Sequence, residues 1–182
     1  MPDLPDLPAP RGDGYRIELV CLGNICRSPM ADVVLSAAVG AAGLDDRVAV
    51  RSSGTAGWHV GKAMDPRSAA TLTAAGYDAE QHRARQFDPA DLAHLDLVLV
   101  MDASNLADVV STTRARAGGD PGADGRVRLF RDFDPVEPGG EVPDPYYGGD
   151  AGFEEVLAMV DRTVHQLVLR LTDLLTRGTS AP

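Results

Sequence analysis

At 182 residues with 44% hydrophobic content, the chain is long enough for one well-packed core and too short for two ordinary domains. Its net charge of −10, from 17 basic against 27 acidic residues, argues against general affinity for nucleic acid or anionic lipid, so any attraction to phosphate must be local. No apolar run reaches the length of a membrane span and no basic head precedes an apolar stretch, so neither a membrane anchor nor a signal peptide is expected and a cytoplasmic location is; export without a signal peptide is a separate matter that composition does not address.

In chain order, residues 1–14 (MPDLPDLPAPRGDG) are too rich in proline for a helix or central strand and too polar to pack, which predicts a disordered N-terminal tail. A strand over 15–20 follows, then a helix over 29–42, with Ser28 as N-cap and Pro29 in the first turn. The pattern continues with a strand over 47–52, helices over 66–76 and 88–94, a strand over 96–101 and a helix over 103–112. Arg114 to Gly125 is turn-rich and is expected as a surface loop. A strand over 127–130 and a long helix over 153–176 complete a domain spanning 15–177, leaving 178–182 as a C-terminal tail. Alternation of strands and helices predicts an α/β fold: a single three-layer domain with a mostly parallel four-stranded sheet flanked by helices. Ligands of such sheets bind beyond the carboxyl ends of the strands.

Cys21 stands at such an end. Between it and Arg27 lie Leu22, Gly23, Asn24, Ile25 and Cys26, and the Gly-Asn pair turns the backbone sharply, including through positive φ. A loop that closes onto a helix N-terminus gathers its amides around one point, a concave nest suited to a phosphate. There the amides, Arg27 and the Ser28 hydroxyl favour thiolate over thiol at Cys21, a nucleophile, and the planar fork of Arg27 matches two equatorial phosphoryl oxygens. The spacing C-x5-R alone arises by chance in about one chain in six, so the strand before it and the Ser-Pro after it carry the argument. Both cysteines fall in this loop, which fits a reducing compartment better than a disulfide framework. Expulsion of an alkoxide or phenoxide also needs a proton donor, and Asp144, stiffened between Pro143 and Pro145, is the candidate; taken alone, it reads more readily as an ordinary loop aspartate.

The segment CLGNICRSPMAD resembles the signature of the low-molecular-weight protein tyrosine phosphatases. Later segments match in order: SSGT (52–55), QHRARQ (81–86), MDASNL (101–106) and DPYYG (144–148), so that the resemblance covers Tyr15 to Leu175. It implies hydrolysis of phosphotyrosine or another aryl phosphate through a phosphocysteine, with Cys21, Arg27 and Asp144 catalytic and no metal or other cofactor. It implies that Asn24, Ser28, Ser52 and His82 hold the loop in shape, and that Trp58, Tyr146 and Tyr147 wall the cleft; for each of these the bland alternative is a packed or half-buried side chain. Leu22 and His59 are candidates for tuning peptide choice. Cys26 reads either as a small loop-facing hydrophobe or as a redox partner, condensing with a Cys21 sulfenic acid to a reversible disulfide. The expected partners are a tyrosine-phosphorylated protein or small aryl phosphate and a tyrosine kinase acting on Tyr146 or Tyr147; no nucleic acid or membrane is expected, and the chain is expected to be a monomer. Two rivals remain at this point: an arsenate reductase using the same loop, and a phosphotyrosine-binding module without turnover.

Overall fold

The computed structural model describes residues 4–117 and 124–177. Four strands, β1 (Tyr15–Cys21), β2 (Val48–Gly54), β3 (Leu97–Val100) and β4 (Val127–Leu129), form one parallel sheet in the order β2-β1-β3-β4. Helices α1 (Arg27–Ala41), α2 (Pro66–Ala74), α3 (Ala103–Ala117) and α4 (Asp150–Arg177) and a 3₁₀ helix (Pro89–Ala93) connect and cover it. All four residues of β3, LVLV, are buried, as a central strand covered on both faces requires. Alternation along β1 sends Ile17 and Leu19 into one core with residues of α1 and α4, and Val20 into a second with Val98, Val100 and Val109. Helix α4 buries Phe153, Val156, Val160, Val164, Leu167 and Leu171 along one stripe at helical spacing. The polar exception on β1 is Glu18, fully buried, which accepts from Ser53 Oγ and lies 2.7 Å from Arg51 Nη2 and 2.8 Å from Arg85 Nη2.

The long connection from β4 to α4 matters for function because it ends in the Asp144 segment. Its first part is held by Arg131, whose Nε donates to Asp134 (2.8 Å) and Nη1 to the Glu141 carbonyl (2.8 Å). Asp134 also takes two bonds from Arg162 of α4; burial pushes its carboxyl up, but the two arginines outweigh this and hold it well below the usual carboxylate range. Val142 N then donates to the Met101 carbonyl (2.8 Å), which ties residues 142–144 to the carboxyl end of β3.

Four expectations are corrected. The tail is packed, not disordered, over residues 4–14: Leu4 is buried, Leu7 lies against the core, Arg11 N and Nε donate to Asp96 Oδ1 and the Leu95 carbonyl, and Arg126 Nη2 donates to the Ala9 carbonyl. Prolines restrict the unfolded chain and so lower the entropy lost on docking, and the three-residue spacing of Leu4 and Leu7 matches the repeat of an extended proline-rich segment. Residues 1–3 and the 178–182 tail lie outside the described residues. Helix α1 begins at Arg27, two residues early, because the loop curls directly into it, with Met30 N donating to Cys26 O; Ser28 is therefore not the cap. The segment 88–94 forms one 3₁₀ turn, capped by Asp88 accepting from Ala90 N, rather than an α-helix. Finally, α3 runs on to Ala117, so Arg114 to Ala117 are helical: Ala and Arg are strong helix formers, and Arg114 and Arg116 complement the dipole of the last turn.

Candidate active site

The carboxyl end of β1 places Cys21 beside Gly54 of β2, and the loop after it lies across the end of β2. Thr55 N and Ala56 N donate to the Cys21 and Leu22 carbonyls, each at 2.9 Å. A Cβ at Gly54 would stand 2.6 Å from Leu22 O and 3.0 Å from Asn24 N, so only glycine admits the loop so close to the strand. Asn24 adopts φ +56°, the only non-glycine residue with positive φ among those described. Its side chain explains how this strained conformation persists: Nδ2 donates to Ser28 Oγ (2.9 Å) and Oδ1 accepts from Arg85 N (3.0 Å). Its carbonyl accepts from His82 Nε2 (2.8 Å). Because a carbonyl can only accept, Nε2 carries the proton, and burial pushes the His82 pKa down, which favours the neutral ring.

Inside the loop, Cys21 Sγ receives Asn24 N at 3.3 Å and lies 3.0 Å from Ser28 Oγ, donors that suit a sulfur anion. Arg27 is buried and commits Nη1 to Asp102 Oδ2 (2.5 Å) and the Val142 carbonyl (3.2 Å), while Nη2 reaches Asp144 Oδ2 at 3.2 Å. Burial pulls the guanidinium pKa down, but Cys21, Asp102 and Asp144 together hold it above its ordinary value. Asp144 Oδ1 accepts from Tyr146 N (3.1 Å), a local turn that aims the carboxyl. One cavity is lined by Cys21, Leu22, Gly23, Ile25, Cys26, Arg27, Trp58, His59, Asp144, Tyr146 and Tyr147. Cys21 sits at its base, 3% exposed, whereas Trp58 and Tyr147 stand at its rim, 71% and 93% exposed. Tyr146 and Tyr147 meet edge to face, with centroids 5.0 Å apart.

The structure brings Asn24, Ser28 and His82 together around the loop, whereas the Ser52 hydroxyl bonds none of the three and acts on Asp32 of α1. Its neighbour on the strand meets the loop directly: the Ser53 carbonyl is 3.2 Å from Ser28 Oγ. The Ser52 carbonyl accepts from Arg85 Nε (2.8 Å). Sequence reasoning missed Arg85, Ser53 and Asp102. For Asp102 a signal existed, since an aspartate just before a helical segment is an N-cap, and Oδ1 does accept from Asn105 N (2.7 Å). Its other oxygen anchors Arg27. Asn also caps well, so Asp102→Asn keeps the helix start and removes only the charge on Arg27. The expected result is a roughly 10–100-fold lower kcat/KM for p-nitrophenyl phosphate, from a loosened Arg27, with the melting temperature nearly unchanged; an unaltered kcat/KM would show that Asp102 does not orient the arginine.

Comparison with known proteins agrees with this geometry. Residues 16–177 match the family described as low molecular weight phosphotyrosine protein phosphatase. A low molecular weight protein-tyrosine-phosphatase of Streptomyces coelicolor is 48% identical over 151 residues, spanning 81% of this chain and 87% of that protein. Low molecular weight protein-tyrosine phosphatase A of Mycobacterium tuberculosis is 40% identical over 151 residues, 82% of this chain and 86% of its own length. The crystal structure of YfkJ from Bacillus subtilis superposes with a TM-score of 0.78 at 31% identity, covering 90% of this chain and 98% of that one. The chain belongs to the low molecular weight phosphotyrosine protein phosphatase family.

Proposed function

We propose that this chain hydrolyses phosphotyrosine on proteins, and small aryl phosphates, through a phosphocysteine. Cys21 Sγ attacks phosphorus in line with the leaving oxygen. The loop amides and the Nε–Nη2 edge of Arg27 take the equatorial oxygens, where charge spreads in the transition state. Because Nη2 also holds the Asp144 carboxylate, arrival of a phosphoryl group competes for that contact; beside the incoming anion the released carboxylate takes up a proton from solvent and passes it to the leaving phenolate. Asp144, now ionised, then takes a proton from the water that attacks the phosphocysteine, and the Ser28 hydroxyl eases departure of the sulfur. Asn24 and His82 hold the loop, Arg85 from outside it. The observation that carries this reading is the convergence of Cys21, Arg27 and Asp144 on one deep cavity with an aromatic rim.

Depth also supports the substrate class. A phosphate must reach a sulfur that is nearly buried, and the length and flatness of a phenyl ring span the passage between Trp58, Tyr146 and Tyr147, whereas a serine side chain is too short. The chain has no cysteine after Cys26 to relay electrons, which disfavours arsenate reduction by an internal thiol relay. Burial pushes the Cys26 thiol up to about 12, which opposes the thiolate that a disulfide with Cys21 would need. Tyr147 is the more exposed target for a kinase. The test is hydrolysis of phosphotyrosine and phosphoserine peptides in the presence of chelator and reductant. Turnover of the first and not the second is expected; binding of the phosphotyrosine peptide without turnover would make the chain a recognition module instead.

A further inference from the structure

Arg67, in the first turn of α2, belongs to neither the phosphate loop nor the acid segment, yet it joins them. On one side stands Asp65, the cap of α2 and nearly buried. Asp65 N donates to the carbonyl of Ile25 in the phosphate loop at 2.8 Å, and the Asp65 carboxylate takes Arg67 Nε and Nη2 at 3.1 and 3.0 Å and Arg67 N at 2.9 Å. On the other side, Arg67 Nη2 donates to the Tyr146 carbonyl at 3.1 Å and Nη1 to the Gly148 carbonyl at 3.4 Å. The guanidinium carbon Cζ lies 5.5 Å from the Tyr146 ring centroid and 4.7 Å from that of Phe153 at the start of α4. Tyr146 in turn aims Asp144, since its N–H donates to Asp144 Oδ1. A continuous path therefore runs from Ile25 through Asp65, Arg67 and Tyr146 to the proton donor. The chain from 145 to 149 has no helix or strand of its own to hold it.

We infer that Arg67, oriented by Asp65, is a positioning residue that sets the acid segment in register with the phosphate loop. The inference rests on the reading of Asp144 as proton donor. Only a planar fork does this: it serves a carboxylate on one side and two carbonyls on the other, over two aromatic rings, and an ammonium point charge cannot serve all of them. A positioning error at Asp144 weakens proton transfer without weakening the phosphate cradle, and that separates this role from general structural support.

The experiment compares Arg67→Gln, Arg67→Lys and Asp144→Asn in the full chain, reading kcat/KM across aryl phosphates whose phenols differ in acidity, together with inhibition by inorganic phosphate. Loss of proton donation costs most where the leaving phenol is least acidic, so it steepens the dependence on leaving group. For both Arg67 variants, kcat/KM for phenyl phosphate is expected to fall about tenfold while p-nitrophenyl phosphate falls about twofold or less, with inhibition by phosphate unchanged. Arg67→Lys keeps the charge and the aliphatic stem, so it reads the same property if Arg67→Gln does not fold. A uniform loss across leaving groups, weakened phosphate inhibition, or no change overturns the inference. If Asp144→Asn steepens the dependence and the Arg67 variants do not, the positioning role alone falls; if Asp144→Asn itself leaves it unchanged, the proton-donor reading falls first.

Discussion

Cys21→Ser is expected to lower kcat/KM for p-nitrophenyl phosphate by ~10⁴-fold or more while phosphotyrosine peptide still binds. The substitution exchanges sulfur for oxygen at the base of the cavity and leaves Asn24 N and Ser28 Oγ free to hydrogen-bond the new hydroxyl, so the loop keeps its shape. On the proposed mechanism what is lost is the nucleophile, since an alcohol is a far weaker nucleophile than sulfur in the same place. Cys26 offers no substitute, because burial pushes its thiol up to about 12 and keeps it protonated. Single-turnover hydrolysis and calorimetric titration with a phosphotyrosine peptide check both halves. Residual activity above about 1% would show that attack does not come from Cys21, and loss of peptide binding would show that the loop had collapsed.

The parts of the site that were legible in the sequence are those whose geometry is local. Cys21, Asn24, Arg27 and Ser28 lie within one turn of chain, and their contacts follow from a strand that ends, a backbone that turns and a helix that starts. Asp144 meets Arg27 across 117 positions, and no local pattern brings it there; family resemblance supplied it. Asp102, Arg85 and Arg67 were missed for the same reason, since each acts through a partner that only the tertiary fold brings near. Ser52 and Ser53 show how fine the margin is. Successive residues of a strand face opposite ways, so a displacement by one position moves a side chain from one face of the sheet to the other. Ser53 Oγ faces Glu18, and it is the Ser53 carbonyl that meets Ser28. The N-terminal segment fails in the same direction: its composition describes the free chain, whereas its docking depends on Asp96, Arg126 and the flank of α4, which composition does not contain.

Asp144→Ala is expected to lower kcat/KM for phenyl phosphate and phosphotyrosine peptide by roughly 10²–10⁴-fold, the usual worth of a positioned acid, and to lower it less for p-nitrophenyl phosphate. The difference follows from the chemistry of the leaving group. A phenol of pKa ~10 departs poorly as its anion, while nitro-substitution stabilises the anion and makes the proton less necessary. Asp144 sits on Arg27 Nη2, so its removal also frees one arm of the fork, and binding of inorganic phosphate is expected to hold or tighten. The two effects point opposite ways, chemistry down and anion binding unchanged or up, and this distinguishes a proton donor from a residue that merely shapes the cavity. The variant also tests the second half-reaction. Without a base for the attacking water, phosphocysteine should accumulate, visible as a burst of p-nitrophenol followed by slow turnover. A uniform loss for all leaving groups, with weakened phosphate binding, would assign Asp144 to the architecture of the cleft and leave the proton to solvent.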